Sequence, residues 1–566
     1  MPNRLKRVLE LHDLVAYGVG GTIGAGIFVS IGVGAVQSGP ALFLSFLLAA
    51  VACSISGLCF CEMASRVPTS GSSYSYAYKV LGDFPAFVIG SVLVLDSIIS
   101  AAACARAWTA YVRIVCPFLP SLFGDMQVPG LEHIFSISIL SCFVCLGVGT
   151  VLALGIKETT YFNNVSTILN ALVLAVFILA GLPLTNRANW TPFAPNGIGG
   201  IVRGSGRIFF AFLGFDVVNC LAEETGDSRG GAKRLVPRAI MLTISITTII
   251  YVLVSVAFVG LAPVKSINLS SPLSSALELR GHALLAYLVG IGAVGNTLTS
   301  VLSNFLVQPR IMLRMASDGF LPSKLSEIDG NGVPRIALLV TVVASAATAL
   351  LIDFETLADM VSVASLVSLS VVCICSVLVR VKPICWVDEV VLVEPAEPSL
   401  HSSRTPPIIE SVLDELPPLA ANREVQRFEV LLAIYVCLGA VTSAALLHNS
   451  PLWLKLVLSI CLAISLATAC SQFVMLPKDI EISSVSQSAV FRVPLSPLLP
   501  LLGVFVNTYL LIGLPVLALI RAAAVFACCG AYYVIVLRPA AQPSYTQSDV
   551  VNLKVVKQHP SYDSVS

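Results

Sequence analysis

The stretch "GVGGTIGAGIF", residues 18–28, lies inside an apolar run long enough to cross a bilayer, yet five of its eleven residues are glycine. Each glycine inside a helix costs about 1 kcal/mol relative to alanine. Breaking a helix in hydrocarbon also strands N–H and C=O groups, which is tolerated only where protein, a cavity or a ligand supplies partners. The stretch therefore predicts an unwound segment at membrane depth. Gly24, Ala25 and Gly26 would turn backbone N–H groups toward an anion, helped by the positive end of the half-helix that follows, with Thr22 and Ile23 flanking the turn. Close helix packing is the bland alternative for such glycines.

A second weakened span argues against that alternative. "RIFFAFLGFDVVNCLAEETGD", residues 207–227, stands first in the second group of five apolar spans, as the glycine-rich stretch stands first in the first group. Transporters built from inverted repeats place their substrate where two discontinuous helices face each other near the midplane. Carbonyls freed near Phe210, Ala211 and Leu213 would accept hydrogen bonds from a cation. Anion donors on one break and cation acceptors on the other describe the zwitterionic end of an α-amino acid.

The composition sets the class. Of 566 residues, 56% are hydrophobic and 11% charged, with a mean hydropathy of +0.90. Soluble domains carry about 25% charged residues. About fourteen apolar runs of bilayer-spanning length recur, beginning near residues 14, 41, 84, 134, 162, 206, 238, 284, 336, 356, 429, 453, 493 and 516. Alternating barrel strands are absent, so the chain reads as an all-α polytopic membrane protein. Residues 1–13 form an N-terminal segment and 14–380 a ten-helix core. Residues 381–427, around "VEPAEPSLHSSRTPP", read as a disordered linker. Residues 428–537 supply four more spans and 538–566 a polar tail, whose "YDSV" at 562–565 resembles a tyrosine-based sorting signal.

Lys and Arg are concentrated between spans so as to put both termini in the cytosol. The same topology puts the sequons at Asn189 and Asn268 outside, where glycosylation is expected, and leaves the one at Asn164 at the inner end of a span. A net charge of +1 without a basic arm excludes nucleic acid as a partner. No removable signal peptide is expected at the N-terminus. Sixteen cysteines, nearly all in spans, read as small packing residues, with no disulfide framework and no metal site. No cofactor is implied. Six scattered histidines offer no catalytic arrangement, so an enzyme is not expected.

The stretches "DLVAYGVGGTIGAGIFV", "EMASRVPTSGSSYSYAY", "ACARAWTAY", "FFAFLGFD" followed by Glu223 and Glu224, "QPRIMLRMASDGFLP" and "FRVPLSPLLPLLGVFVNTYLL" occur in that order. On these the chain resembles the cationic amino acid transporters of the amino acid–polyamine–organocation (APC) superfamily, over nearly its whole length. The resemblance implies a five-plus-five inverted repeat, the LeuT-like or APC fold, followed by four further helices. It implies transport of arginine, lysine and ornithine, with the carboxylate held at Gly24, Ala25 and Gly26 and the amine at Phe210, Ala211 and Leu213. Phe210 would also gate the bound substrate. One departure stands out: relatives of this type carry a lysine in the fifth span where this chain has Asn164, which puts proton coupling in question. Ser303 and Asn304 fall where the family's eighth span is smaller or differently shaped.

An ionisable group inside a span is by default a functional candidate, so Asp96 either attracts the cationic side chain of a substrate or pairs helices. Arg106 reads as a tie between helices. Asp216 would cap freed N–H groups or meet a basic residue. Glu223 and Glu224 are gating partners for Arg66 or Arg310, or a solvated pair. Arg310 and Arg314, four apart, read as an inner-surface anchor. The expectation is a transporter of cationic amino acids at the plasma membrane, by alternating access, with the lipid bilayer and a small-molecule substrate as partners and no protein partner identified. Transport of neutral amino acids or polyamines, or a non-transporting amino acid sensor, are the alternatives.

Overall fold

Nearly every regular element is a helix, because a backbone in lipid must satisfy its own hydrogen bonds. The computed structural model describes residues 9–24, 26–67, 71–116, 126–127, 136–153, 159–215, 218, 221, 225, 232–269, 271–328, 334–381, 419–447, 450–476 and 491–537. Helix α1 (Leu11–Thr22) stops at a break, after which a π-helical turn (Gly26–Ser30) leads into α2 (Ile31–Ser38). Then come α3 (Leu42–Arg66), α4 (Ser72–Leu81), α5 (Asp83–Val115), α6 (Ile139–Ala153) and α7 (Thr159–Gly181). Helix α8 (Gly197–Ile208) runs into a 3-10 turn (Phe209–Phe212). It is followed by α9 (Ala232–Leu261), α10 (Pro272–Glu278), α11 (Ala283–Ser317), α12 (Arg335–Leu351) and α13 (Phe354–Leu378). The chain closes with α14 (Leu419–Leu447), α15 (Leu452–Met475), α16 (Leu498–Ile512) and α17 (Val516–Tyr532). The strand pairing among the described residues is a two-residue antiparallel ladder, Met126–Gln127 with Ser136–Ile137.

Nine helical stretches among the described residues are long and apolar enough to cross a membrane, the first running from Leu11 to Arg66, and α6, α12 and α16 are shorter apolar helices. Helix α15 shows what surrounds the bundle. Leu456, Ile460 and Ile464 recur every fourth residue, and each is more than half exposed. An apolar face of that size bare of protein is matched to lipid.

The packing follows a regular scheme: α2 lies on α8, α3 on α9, α5 on α11 and α6 on α12. Helix α16 packs on α13 and α3, which brings the last four helices onto the core. Helix α14 begins at Leu419, inside the stretch expected to be a linker up to residue 427. "LAANREVQRF" is rich in Ala, Leu, Arg and Glu, which favour helix. The rest of that expected linker after Val381, and the tail, lie outside the described residues.

One carboxylate fixes the junction between the core and the last helices. Glu62, on α3, has a fully buried side chain. It accepts hydrogen bonds from Arg66 Nε at 3.1 Å, Arg380 Nε at 2.8 Å and Arg380 Nη2 at 2.6 Å. The backbone N–H of Val493, just ahead of α16, donates to its Oε2 at 2.9 Å, and Arg380 Nη2 returns a bond to the Val493 carbonyl at 3.2 Å. A buried charge is tolerable only when paired and hydrogen-bonded, and this one serves three separate parts of the chain. Glu62→Gln is expected to destabilise the protein by about 3–5 kcal/mol, the usual effect of removing one partner of a buried ion pair. Thermal unfolding of the purified protein in detergent checks this; an unchanged melting temperature would show that the junction does not depend on Glu62.

Candidate functional site

The first break is local. Ile23 still donates its N–H to Val19 at 2.8 Å, but its ψ of 86° takes the chain out of the helix. Beyond it Phe28 N–H reaches the Gly24 carbonyl only at 3.5 Å. The N–H groups that open a helical run have no acceptor within it, and the run after this break opens at Gly26.

The second break is built differently. Helix α8 tightens into the 3-10 turn, and Leu213 closes it with N–H to the Phe210 carbonyl at 3.3 Å before turning extended, at ψ 145°. Gly214 follows with φ of +120°, a conformation in which side chains are strained.

The two breaks touch backbone to backbone. A Cβ added to Gly26 would fall 2.8 Å from the Ala211 nitrogen, and one added to Gly214 would fall 2.5 Å from the Thr22 nitrogen. Only glycine permits such an approach.

Beside this crossing lies a cavity. Gly21, Thr22, Gly24 and Gly26 line it from the first break, and Phe210, Leu213 and Gly214 from the second. Helix α5 contributes Asp96, Ser97, Ser100 and Cys104, and α11 contributes Ser300, Ser303 and Asn304. Asp96 is therefore on the cavity wall, and its Oδ2 accepts a bond from Ser365 Oγ of α13 at 3.2 Å. Ile23 and Ala211 are buried outside the lining. The Ala211 carbonyl instead accepts from the Tyr251 hydroxyl at 2.8 Å. Ser97, Ser100 and Cys104, and likewise Ser300, Ser303 and Asn304, were readable as small polar residues repeating every three or four positions in an apolar span, the spacing of one helical face.

Phe210 of the cavity lining also meets a residue of α13. The rings of Phe210 and Phe354 meet edge-on with centroids 6.5 Å apart. Arg207, a turn before Phe210, pairs with Glu355 at 2.7 Å and with Asp359 at 3.6 Å. Beyond the phenylalanines lies a second recess, lined in part by Val29, Arg106, Arg113, Asp353 and Phe354.

The remaining expected residues are scattered. Ala25, Asp216, Glu223 and Glu224, and the side chain of Asn164, lie outside the described residues. Arg66, an expected partner for the two glutamates, pairs with Glu62. Arg106 donates to the Ala349 and Leu350 carbonyls at the end of α12, at 2.6 Å and 3.0 Å, where a cation complements the helix dipole. Arg314 pairs with Asp318 at 3.5 Å. Asn268 is exposed, whereas the Asn189 side chain donates to the Gly260 carbonyl at 2.8 Å.

Comparison with known proteins gives the fold a family. Residues 9–384 match the family described as amino acid permease, and residues 491–540 match its C-terminal segment. The chain is 32% identical over 90% of its length to a protein of Arabidopsis thaliana named "Cationic amino acid transporter 3, mitochondrial", covering 87% of that relative. It is 32% identical over 91% of its length to "Cationic amino acid transporter 4, vacuolar" of the same plant, covering 88% of it. It is also 35% identical, over 67% of its length and 82% of the relative, to a branched-chain amino acid permease of Bacillus subtilis (strain 168). This multi-pass membrane chain belongs to the amino acid permease family, within the APC superfamily.

Proposed function

We propose that the protein carries cationic amino acids across a membrane by alternating access, the carboxylate held at Gly24 and Gly26 and the ammonium at the Phe210–Leu213 turn. The observation that carries this reading is the single cavity that gathers both helix breaks and the Asp96 carboxylate. Asp96 joins the lining from α5 and not from either break, and in this reading it meets the side chain of a substrate held by its backbone groups. Lysine and arginine end in a cation, and an intramembrane carboxylate favours a cation over a neutral group.

The pairing of α2 with α8, α3 with α9, α5 with α11 and α6 with α12 supports an inverted repeat of five spans, since each helix meets the one five spans later. With the broken helices counted as single spans, this reading has fourteen crossings, the last four outside the repeat. The Lys and Arg bias supports cytosolic termini. The Phe210–Phe354 and Arg207–Glu355 contacts then lie on the outer side. We place the protein at the plasma membrane; the two plant relatives bear the names of internal organelles, and microscopy of the tagged chain decides between these sites.

A second reading, transport of neutral amino acids, is favoured by the branched-chain relative and by a cavity whose other side-chain walls are serine, threonine, asparagine, cysteine and apolar groups. Uptake of labelled arginine, lysine, ornithine, leucine and putrescine into proteoliposomes separates the two. Arginine and lysine are expected to enter faster than leucine, and putrescine, which has no carboxylate for the glycine donors, slowest. Faster uptake of leucine would establish the second reading.

Asp96→Asn is expected to lower uptake of lysine and arginine by about tenfold, the effect of roughly 1.4 kcal/mol, and to leave leucine nearly unchanged. Equal losses for both classes would remove Asp96 from substrate selection. Gly26→Ala forces a methyl group onto the Ala211 backbone, at a cost of about 1–3 kcal/mol. The expected outcome is loss of uptake for every substrate from protein that still reaches the membrane, read as initial rate per surface-labelled molecule.

A further inference from the structure

Between the two breaks, on the side away from the cavity, one hydroxyl group serves both. Tyr251 of α9 is completely buried, and its Oη lies 2.7 Å from the Thr22 carbonyl and 2.8 Å from the Ala211 carbonyl. Thr22 is the last residue of α1, and Ala211 lies in the 3-10 turn that ends α8. These are the residues at which the two backbones touch, through Gly214 and Gly26. The ring cannot swing away readily, because Phe212 and Phe46 meet it with centroids at 5.2 Å and 5.6 Å.

We infer that Tyr251 is a positioning residue for the substrate's α-amino acid end, its hydroxyl tying the donor break to the acceptor break. A phenol has one proton to donate. Both carbonyls can draw on it only while they stay within reach of the same oxygen, so the bond is sensitive to the spacing of the two half-helices. If they separate, one buried carbonyl loses its partner, and leaving such a group unsatisfied is costly. The spacing held in this way is the distance between the Gly24–Gly26 donors and the Phe210–Leu213 turn. The carboxylate and ammonium of every α-amino acid are joined through one carbon, so that distance sets affinity for the shared end and not for the side chain. The bond occupies one of the two lone pairs of the Ala211 carbonyl, a residue outside the cavity lining.

Tyr111 supplies a matched contrast. Its buried hydroxyl donates at 2.6 Å to one carbonyl, that of Phe28, and does not bridge the breaks.

The inference rests on the proposed transport of amino acids, and the test separates the two. Uptake kinetics of arginine, lysine and leucine are measured in proteoliposomes for the wild-type chain, Tyr251→Phe and Tyr111→Phe, alongside melting temperatures in detergent. Tyr251→Phe is expected to raise KM about tenfold, the factor that corresponds to 1.4 kcal/mol. The rise is expected to be the same for every amino acid the wild type carries, leaving the preference among them unchanged. Tyr111→Phe is expected to lower the melting temperature without a comparable change in KM. Tyr251→His, with a ring N–H of shorter reach, falls between wild type and Tyr251→Phe, and is the variant to read if Tyr251→Phe is not recovered from the membrane. A lowered melting temperature with unchanged KM would make the hydroxyl purely structural and overturn the inference. So would a KM change confined to one substrate class, or the same KM change in Tyr111→Phe. Wild-type protein that carries none of the amino acids would overturn the proposed function and this inference together.

Discussion

Two broken helices can bring their backbones into direct contact only where at least one of them carries no side chain at the contact, and the centre of this molecule depends on that constraint twice. Gly26 faces the backbone of Ala211, and Gly214 faces the backbone at Gly21 and Thr22. Each contact joins one broken helix to the other. Two helices packed through side chains keep their axes about 8–10 Å apart, too far for their peptide groups to touch. The glycines bring the peptide groups themselves to the site, and the helices flanking them have only to frame it.

That framing comes from α5 and α11, whose mutual contact is the most extensive in the bundle. Both present small residues to the cavity: serine and cysteine from α5, serine and asparagine from α11. Bulky side chains at these positions would fill the space that the breaks leave open. Many of these small polar groups turn back on their own helix, as Ser97 does to Leu93 and Ser300 to Asn296. They are satisfied without a ligand and can still face one, so the cavity need not hold unpaired groups when empty. Asp96 differs, because a carboxylate has no donor of its own to return to its helix. Its bond from Ser365 draws α13 into the same wall.

How much of this was legible in the chain depends on whether a feature is local. The breaks were visible because glycine acts on its own backbone, and the residues named from them, Gly24, Gly26, Phe210 and Leu213, do line one cavity. Asp96 was visible because a lone charge in an apolar run is costly wherever it points. The direction of a carbonyl was not visible. Ala211 sits between Phe210 and Leu213 in sequence, yet its carbonyl turns to a tyrosine forty residues on. Glu62 was missed for a related reason: near a helix end, four residues before Arg66, it reads as an ordinary surface pair. Only the arrival of Arg380 and Val493, from more than three hundred residues away, makes it a buried junction. Sequence pattern reports what a residue does to its own segment, and long-range partners lie beyond it.

The two ionic clusters of the core differ in a way that bears on movement. Glu62 is fully buried, receives both arginines and a backbone N–H, and would be left as a bare charge in a dry interior if they withdrew. Such an arrangement is costly to open. In the Arg207 cluster, Glu355 is half exposed, at 51%, while the second partner, Asp359, is largely buried. Water can replace the partner of Glu355, and exposed ion pairs contribute little net free energy. The ring contact behind it, Phe210 on Phe354, is an edge contact worth about 0.5–1.5 kcal/mol beyond its burial. A multiply bonded buried carboxylate thus fixes α3, α13 and the last helices to one another, whereas Arg207 divides its charge between a half-exposed glutamate and a largely buried aspartate beside the Phe210–Phe354 contact.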